Sequence, residues 1–149
     1  MSGKVVRELI HSDKAPKAGT FPLSQAVRAN DTLYISGSLG LIPETGEMVT
    51  GGVEAECRQA LTNMGHVLEA AGGTFNNVVK VTVLLADIND FAVMNNVYKE
   101  FFTKNYPARA AYQVANLPKS GRIEIEAIAV LGEIEEKQES PNRKRKHHI

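Results

Sequence analysis

The sequence contains no tryptophan and only one cysteine, Cys57. A lone cysteine cannot form a disulfide within the chain, which is typical of proteins from reducing compartments. No apolar stretch is long enough to cross a bilayer, and the residues that follow Met1 contain no hydrophobic segment of a secretion signal. We therefore expect a cytoplasmic protein without a membrane partner, and nuclear or mitochondrial forms remain open.

Signatures of metal and cofactor binding are also missing. No histidine is spaced from the cysteine in the way that metal ligands are. The sequence has neither a Walker loop nor a Gly-x-Ser-x-Gly motif, and the glycines of residues 36–40 lack the spacing of a dinucleotide-binding loop. If the protein is an enzyme, we expect it to work without a metal ion or an organic cofactor.

The formal net charge is zero, yet the charges are unevenly distributed. Residues 143–146 are four consecutive basic residues, and without them 13 basic side chains face 17 acidic ones, a net charge of −4. An acidic body disfavours a general nucleic-acid surface, although the basic cluster could tether RNA or direct nuclear import. Residues 133–149 lack apolar periodicity, so we expect one folded domain over residues 1–132 followed by a disordered, charged tail.

Hydrophobic periodicity predicts an α+β domain with the order β, ββ, α, β, α, ββ. The strands are predicted at residues 4–10, 24–29, 32–36 and 77–86 and in the two runs that begin at Arg109 and Arg122, and the helices over residues 53–71 and 91–102. We expect both helices to pack on one face of a mixed sheet and the last two strands to form a hairpin-like pair. The strand over residues 77–86 is apolar on both sides, so the other face of the sheet needs a cover, which a homo-oligomer would supply.

The most unusual stretch runs from Tyr106 to Val130. Arg109 follows Pro107 and is flanked by alanines, and Glu124 and Glu126 share one face of the following strand. An arginine and a carboxylate among small residues can bind an organic acid and move a proton, or Arg109 can form a structural salt bridge with either glutamate. Both interpretations remain open at this point.

Two further features allow a structural or a functional role. Asn95 lies on the apolar stripe of the second helix, where its amide must find hydrogen-bond partners in a ligand or in neighbouring backbone. The glycines that follow Ser36 serve turns or permit a close approach to the backbone.

Several segments resemble the RidA family of reactive intermediate deaminases, also called YjgF. They are Ser24-Gln25-Ala26-Val27, Tyr34-Ile35-Ser36-Gly37, NMGHVLEAAG, VVKVTVLLADINDFAVMN and, most specifically, YPARAAYQVANLPKSGRIEIEA. The resemblance spans roughly residues 5 to 132 and is greatest to the animal branch. It implies a chorismate-mutase-like fold, a homotrimer with three clefts between subunits, and hydrolysis of 2-iminobutanoate and 2-iminopropanoate to 2-oxo acids and ammonia.

The resemblance also implies roles for individual residues. Arg109 matches the arginine that binds the substrate carboxylate, and Glu124 matches the acid that positions and deprotonates water. Ser36, Asn95 and Ala111 match other residues of the cleft. Leu23 stands where the family usually has a tyrosine, which puts substrate preference or rate in question. Alternative functions are RNA cleavage with inhibition of translation, as associated with animal relatives, and a chaperone-like oligomer without catalysis.

Overall fold

The computed structural model describes residues 3–138, which form six strands and two helices in the predicted order. The strands are β1 (Arg7–Ile10), β2 (Ala26–Ala29), β3 (Thr32–Ser38), β4 (Val78–Leu85), β5 (Ala108–Gln113) and β6 (Ile123–Val130), and the helices are α1 (Gly52–Ala70) and α2 (Phe91–Phe101). All six strands form one sheet with the order β1-β2-β3-β6-β4-β5. Only β4 and β5 pair in parallel, so the sheet is mixed, as predicted.

The predicted hairpin between the last two strands is wrong. β5 pairs in parallel with β4 at the edge of the sheet, whereas β6 lies between β3 and β4. Helix α2 forms the crossover that a parallel connection from β4 to β5 requires. Residues 114–122 then carry the chain past β4 to its other side, and this connection is longer than the tight turn of a hairpin.

The hydrophobic core lies between the sheet and both helices. Its sheet side consists of alternate residues, and one line of paired positions that crosses all six strands is Ile10, Ala26, Ile35, Ala127, Val81 and Arg109. All of these except Arg109 are buried. Helix α1 buries Leu61 and Leu68 against the sheet, and Cys57, also fully buried there, has its pKa raised by burial to about 12. This thiol is therefore structural.

The opposite face of the sheet is open to solvent in a single chain. Leu9, Tyr34 and Tyr112 lie on it and are 65%, 50% and 51% exposed. β4 is buried only at its helix-facing positions, while Val79 and Lys80 are exposed, so the expected burial on both sides does not occur within one chain. An exposed apolar face of this kind is typical of a protein–protein interface. Contact between subunits of the predicted homotrimer would bury it, and the homotrimer stays a prediction.

Residues 133–138 form neither helix nor strand. The basic cluster at 143–146 and the rest of the predicted tail lie outside the described residues, so the predicted boundary at residue 132 is untested. Among residues 3–138, no helix combines the length and the apolar character needed to span a membrane.

Candidate active site

Arg109 lies on the edge strand β5 and points towards helix α2. Its guanidinium carbon is 4.7 Å from the ring centre of Tyr98 and 5.5 Å from that of Phe91, and its Nη1 is 3.9 Å from Sδ of Met94. Aromatic faces attract a cation without neutralising it. Within residues 3–138 no acidic side chain pairs with Arg109, so the alternative salt bridge with Glu124 or Glu126 is not formed within one chain.

Glu124 lies on β6, half-buried, on the open face of the sheet. Its carboxylate lies over the backbone of Gly37 on β3, where an added methyl group would come within 2.5 Å of Oε2. Burial and, to a smaller extent, the nearby charge of Glu126 raise the pKa of Glu124. A carboxylate with a raised pKa accepts and returns a proton more readily near neutral pH than an ordinary glutamate does.

Arg109 and Glu124 point to opposite faces of the same sheet. Arg109 is paired with Val81, which faces the helices, whereas Glu124 is paired with Leu84, three residues further along β4. Side chains alternate between faces along a strand, and three steps change the face. Arg109 and Glu124 of one chain are therefore not neighbours, and their roles in a shared site stay a prediction.

The other predicted site residues divide between these two faces. Ala111 follows Arg109 by two residues on β5 and is half-buried on the same side. Asn95 lies four residues after Phe91 and three before Tyr98, so it shares the helix face of the two rings that touch Arg109. We call Arg109, Asn95 and Ala111 the arginine half.

Ser36 adjoins the residue that the Glu124 carboxylate covers, and its hydrogen-bond partner Ser24 adjoins Leu23. The Ser36 hydroxyl donates a hydrogen bond of 2.6 Å to the Ser24 carbonyl oxygen, next to Leu23, which is 54% exposed. Ser36 also precedes Gly37, the residue that the Glu124 carboxylate covers. We call Glu124, Ser36 and Leu23 the glutamate half.

Comparison with known proteins identifies the family of the chain. A family model described as Endoribonuclease L-PSP matches residues 12–131. The 2-iminobutanoate/2-iminopropanoate deaminase of Bos taurus is 61% identical over 128 residues, which cover 86% of this chain and 93% of the bovine protein. The Homo sapiens protein of the same name is 58% identical over the same shares. The chain belongs to the RidA family.

Solved structures agree with this assignment. RidA from the Antarctic bacterium Psychrobacter sp. PAMC 21119 superimposes with a TM-score of 0.80 at 48% identity, covering 83% of this chain and 99% of that one. E. coli TdcF, solved with bound serine, gives a TM-score of 0.79 at 38% identity and covers 84% of this chain and 99% of its own. The predicted RidA resemblance and α+β fold are thus confirmed.

The sequence does not reveal two contacts of this candidate site. Phe91 and Tyr98 belong to the apolar stripe of α2, and nothing in their spacing shows that an arginine lies against their rings. Gly37 is open to two interpretations from sequence, and the structure favours a close approach, in which the neighbour is Glu124 itself. Among the described residues, no group of three or more His, Cys, Asp or Glu is arranged to hold a metal ion.

Proposed function

We propose that this protein hydrolyses 2-iminobutanoate and 2-iminopropanoate to the corresponding 2-oxo acids and ammonia. The observation that carries the proposal is the environment of Arg109. Tyr98 and Phe91 cover the guanidinium with aromatic rings, and no acidic side chain of residues 3–138 neutralises it. The N–H groups at its edge are therefore available for two parallel hydrogen bonds to a substrate carboxylate. Relatives named for this reaction, which are up to 61% identical, support the same substrate class.

The mechanism follows from the two halves of the site. Arg109 binds the carboxylate and fixes the imine, and Glu124 accepts a hydrogen bond from the attacking water. The water oxygen bonds to C2 while its proton passes to Glu124. Glu124 then returns this proton to the nitrogen, which has taken the C=N π electrons, and a carbinolamine results. Glu124 next takes the remaining hydroxyl proton and passes it to the nitrogen, so that the C–N bond breaks and ammonia leaves as the carbonyl forms. The raised pKa of Glu124 suits a group that must both accept and return this proton.

We further propose that each site lies between two copies of the chain. Arg109 and Glu124 occupy opposite faces of one sheet, so a small substrate can contact both only if they come from different copies. The arginine half of one copy would then face the glutamate half of the next. Two different surfaces meet in such a contact, which repeats around a closed ring, and the homotrimer is the ring that we propose.

Mixing two inactive variants tests this arrangement. Arg109→Ala and Glu124→Gln chains, carrying different tags, are co-expressed, and the mixed oligomers are isolated through both tags. The imine is generated in situ by a PLP-dependent dehydratase, and its loss is measured. In every mixed trimer, whichever variant is present twice, one of the three sites combines an intact Arg109 with an intact Glu124 of the neighbouring chain, so about one third of the wild-type activity should return.

The matched control is the double variant, in which every chain carries both substitutions. Its oligomers should be inactive, because none of their sites contains an intact Arg109 or an intact Glu124. Mixed oligomers with no more activity than this control would refute a shared site. Sizing of the wild-type protein determines independently whether the ring is a trimer.

The serine bound to TdcF supports a small amino-acid-like ligand. A 2-imino acid has the same carboxylate beside a nitrogen-bearing carbon.

RNA remains the second candidate substrate, because the family description names an endoribonuclease. For the enzyme's location we propose the cytoplasm.

A further inference from the structure

Gly37 occupies a position where any side chain would collide with Glu124. A methyl group built on its backbone would lie 2.5 Å from Oε2, 2.7 Å from Cδ and 3.0 Å from Cγ of Glu124. Carbon atoms that are not bonded to each other pack at about 3.5 to 4.0 Å. The outer half of the Glu124 side chain therefore fills the volume that a side chain at Gly37 would need.

The backbone does not explain this glycine. Gly37 lies within β3 and is not among the residues with positive φ, unlike Gly46 and Gly72, where an added methyl group would meet no atom. A glycine inside a strand weakens the strand, because it has more freedom to lose and no side chain to pack. The cost must therefore be offset by something other than backbone geometry.

The pairing of β3 with β6 shows how Gly37 comes to lie under Glu124. The register is regular up to Ile35, which pairs with Ala127, and resumes where Ser38 pairs with Ile125. Residues 36 and 37 thus form a bulge opposite the single residue Glu126, and bulges often redirect side chains beside active sites. The bulge leaves Gly37 exposed on the open face, beside the Glu124 carboxylate.

We propose that Gly37 is a positioning residue for Glu124. Because Gly37 has no side chain, the Glu124 carboxylate lies against the backbone of β3, in the position from which it activates the attacking water. This inference rests on the proposed function, because it concerns the group that activates water. A methyl group at position 37 would push the carboxylate off β3 and into solvent. The displaced carboxylate would no longer hold the attacking water in line with C2 of the imine, whereas Arg109 would bind the substrate as before.

The test compares Gly37→Ala in the wild-type and Glu124→Gln backgrounds. In the wild type, we expect a fall in kcat of about tenfold or more, since a displacement of about 1 Å costs up to a hundredfold, with KM changed much less. In the Glu124→Gln background, where only residual hydrolysis remains, Gly37→Ala should cause no further loss. Equal proportional losses in both backgrounds would overturn the inference, because a purely structural glycine does not act through Glu124.

A second measurement does not depend on activity. The 13C resonance of the Glu124 carboxyl group, assigned from the Glu124→Gln spectrum, reports its titration. Gly37→Ala should move the Glu124 pKa down towards its ordinary value, because the carboxylate leaves its half-buried position. An unchanged titration would refute the proposed displacement.

Stability gives a third comparison if Gly37→Ala folds poorly. The effect of the substitution on the melting temperature should be less favourable in the wild type than in Glu124→Ala, where the volume is empty, at equal protein concentration. An equal loss in both backgrounds would contradict the steric argument. Failure of the proposed function looks different, because the wild type and Glu124→Gln would then both leave the imine to its uncatalysed hydrolysis, whatever Gly37 does.

Discussion

Substitution of Arg109 is the most direct test of substrate recognition. The guanidinium is stacked on Tyr98 and near Phe91, so the two rings fix its plane before the substrate arrives. Arg109→Ala removes the charge and both hydrogen bonds, whereas Arg109→Lys keeps the charge on a flexible stem that cannot form the planar fork. The two variants therefore separate charge from geometry.

The expected magnitudes follow from the contacts. A bidentate charge-assisted contact of this kind contributes about 1.5–3 kcal/mol in total, and each 1.4 kcal/mol changes an equilibrium about tenfold. Arg109→Ala should thus lower kcat/KM for 2-iminobutanoate by about 10- to 150-fold. Arg109→Lys should recover about half of that free energy, which leaves a loss of about 3- to 12-fold.

The assay generates the imine in situ and follows its disappearance with each variant. Arg58→Ala is the control, because Arg58 is paired with Glu100 at 2.7 Å on the outer surface of the helices and should not affect turnover. An imine that lacks a carboxylate should be hydrolysed equally by the wild type and Arg109→Ala. If Arg109→Ala instead hydrolysed 2-iminobutanoate at the wild-type rate, the assignment of Arg109 as the carboxylate anchor would be wrong.

Three further predictions concern other parts of the molecule. Glu126→Gln removes the like charge that helps to raise the pKa of Glu124, so the acid limb of the kcat–pH profile should move to lower pH; an unchanged limb would contradict this. Tyr98→Phe keeps the ring on which Arg109 stacks and removes a buried hydroxyl close to the guanidinium that makes no other hydrogen bond among the described residues, so melting should show stability retained or raised by about 1 kcal/mol. A chain that ends at Gly132 should keep imine hydrolysis, and loss of any RNA cleavage in the same preparation would assign that activity to the tail.

Local structure was predictable because it depends on neighbours in sequence. The alternation of Ile123, Ile125 and Ala127 correctly placed these residues on the buried side of β6. The glycines after Ala71 correctly marked the end of α1, where the Gly73 N–H donates to the carbonyl oxygen of Leu68. In both segments the periodicity of the side chains and the local backbone chemistry agree.

Strand order was less accessible, because it depends on partners far apart in sequence. The strand over residues 78–85 accepts neighbours on both edges, and nothing local shows that β6 rather than β5 pairs with its inner edge. For the same reason, the stripe of α2 gave no sign that Phe91 and Tyr98 meet Arg109. That contact exists only because β5 returns in parallel beside β4, under the helix that connects them.

The division of the site into two halves follows from the same strand order. In a hairpin of the last two strands, the relative faces of Arg109 and Glu124 would depend on the register of a single turn. In the observed sheet the two faces are set by β4, which pairs with both β5 and β6. The partners of Arg109 and Glu124 on β4 are three residues apart. No rotation of either side chain can cross the sheet, and a change of face would break the ladder on one side of β4. The resemblance to RidA pointed to both residues, and the register is the reason that the site we propose takes them from two copies of the chain.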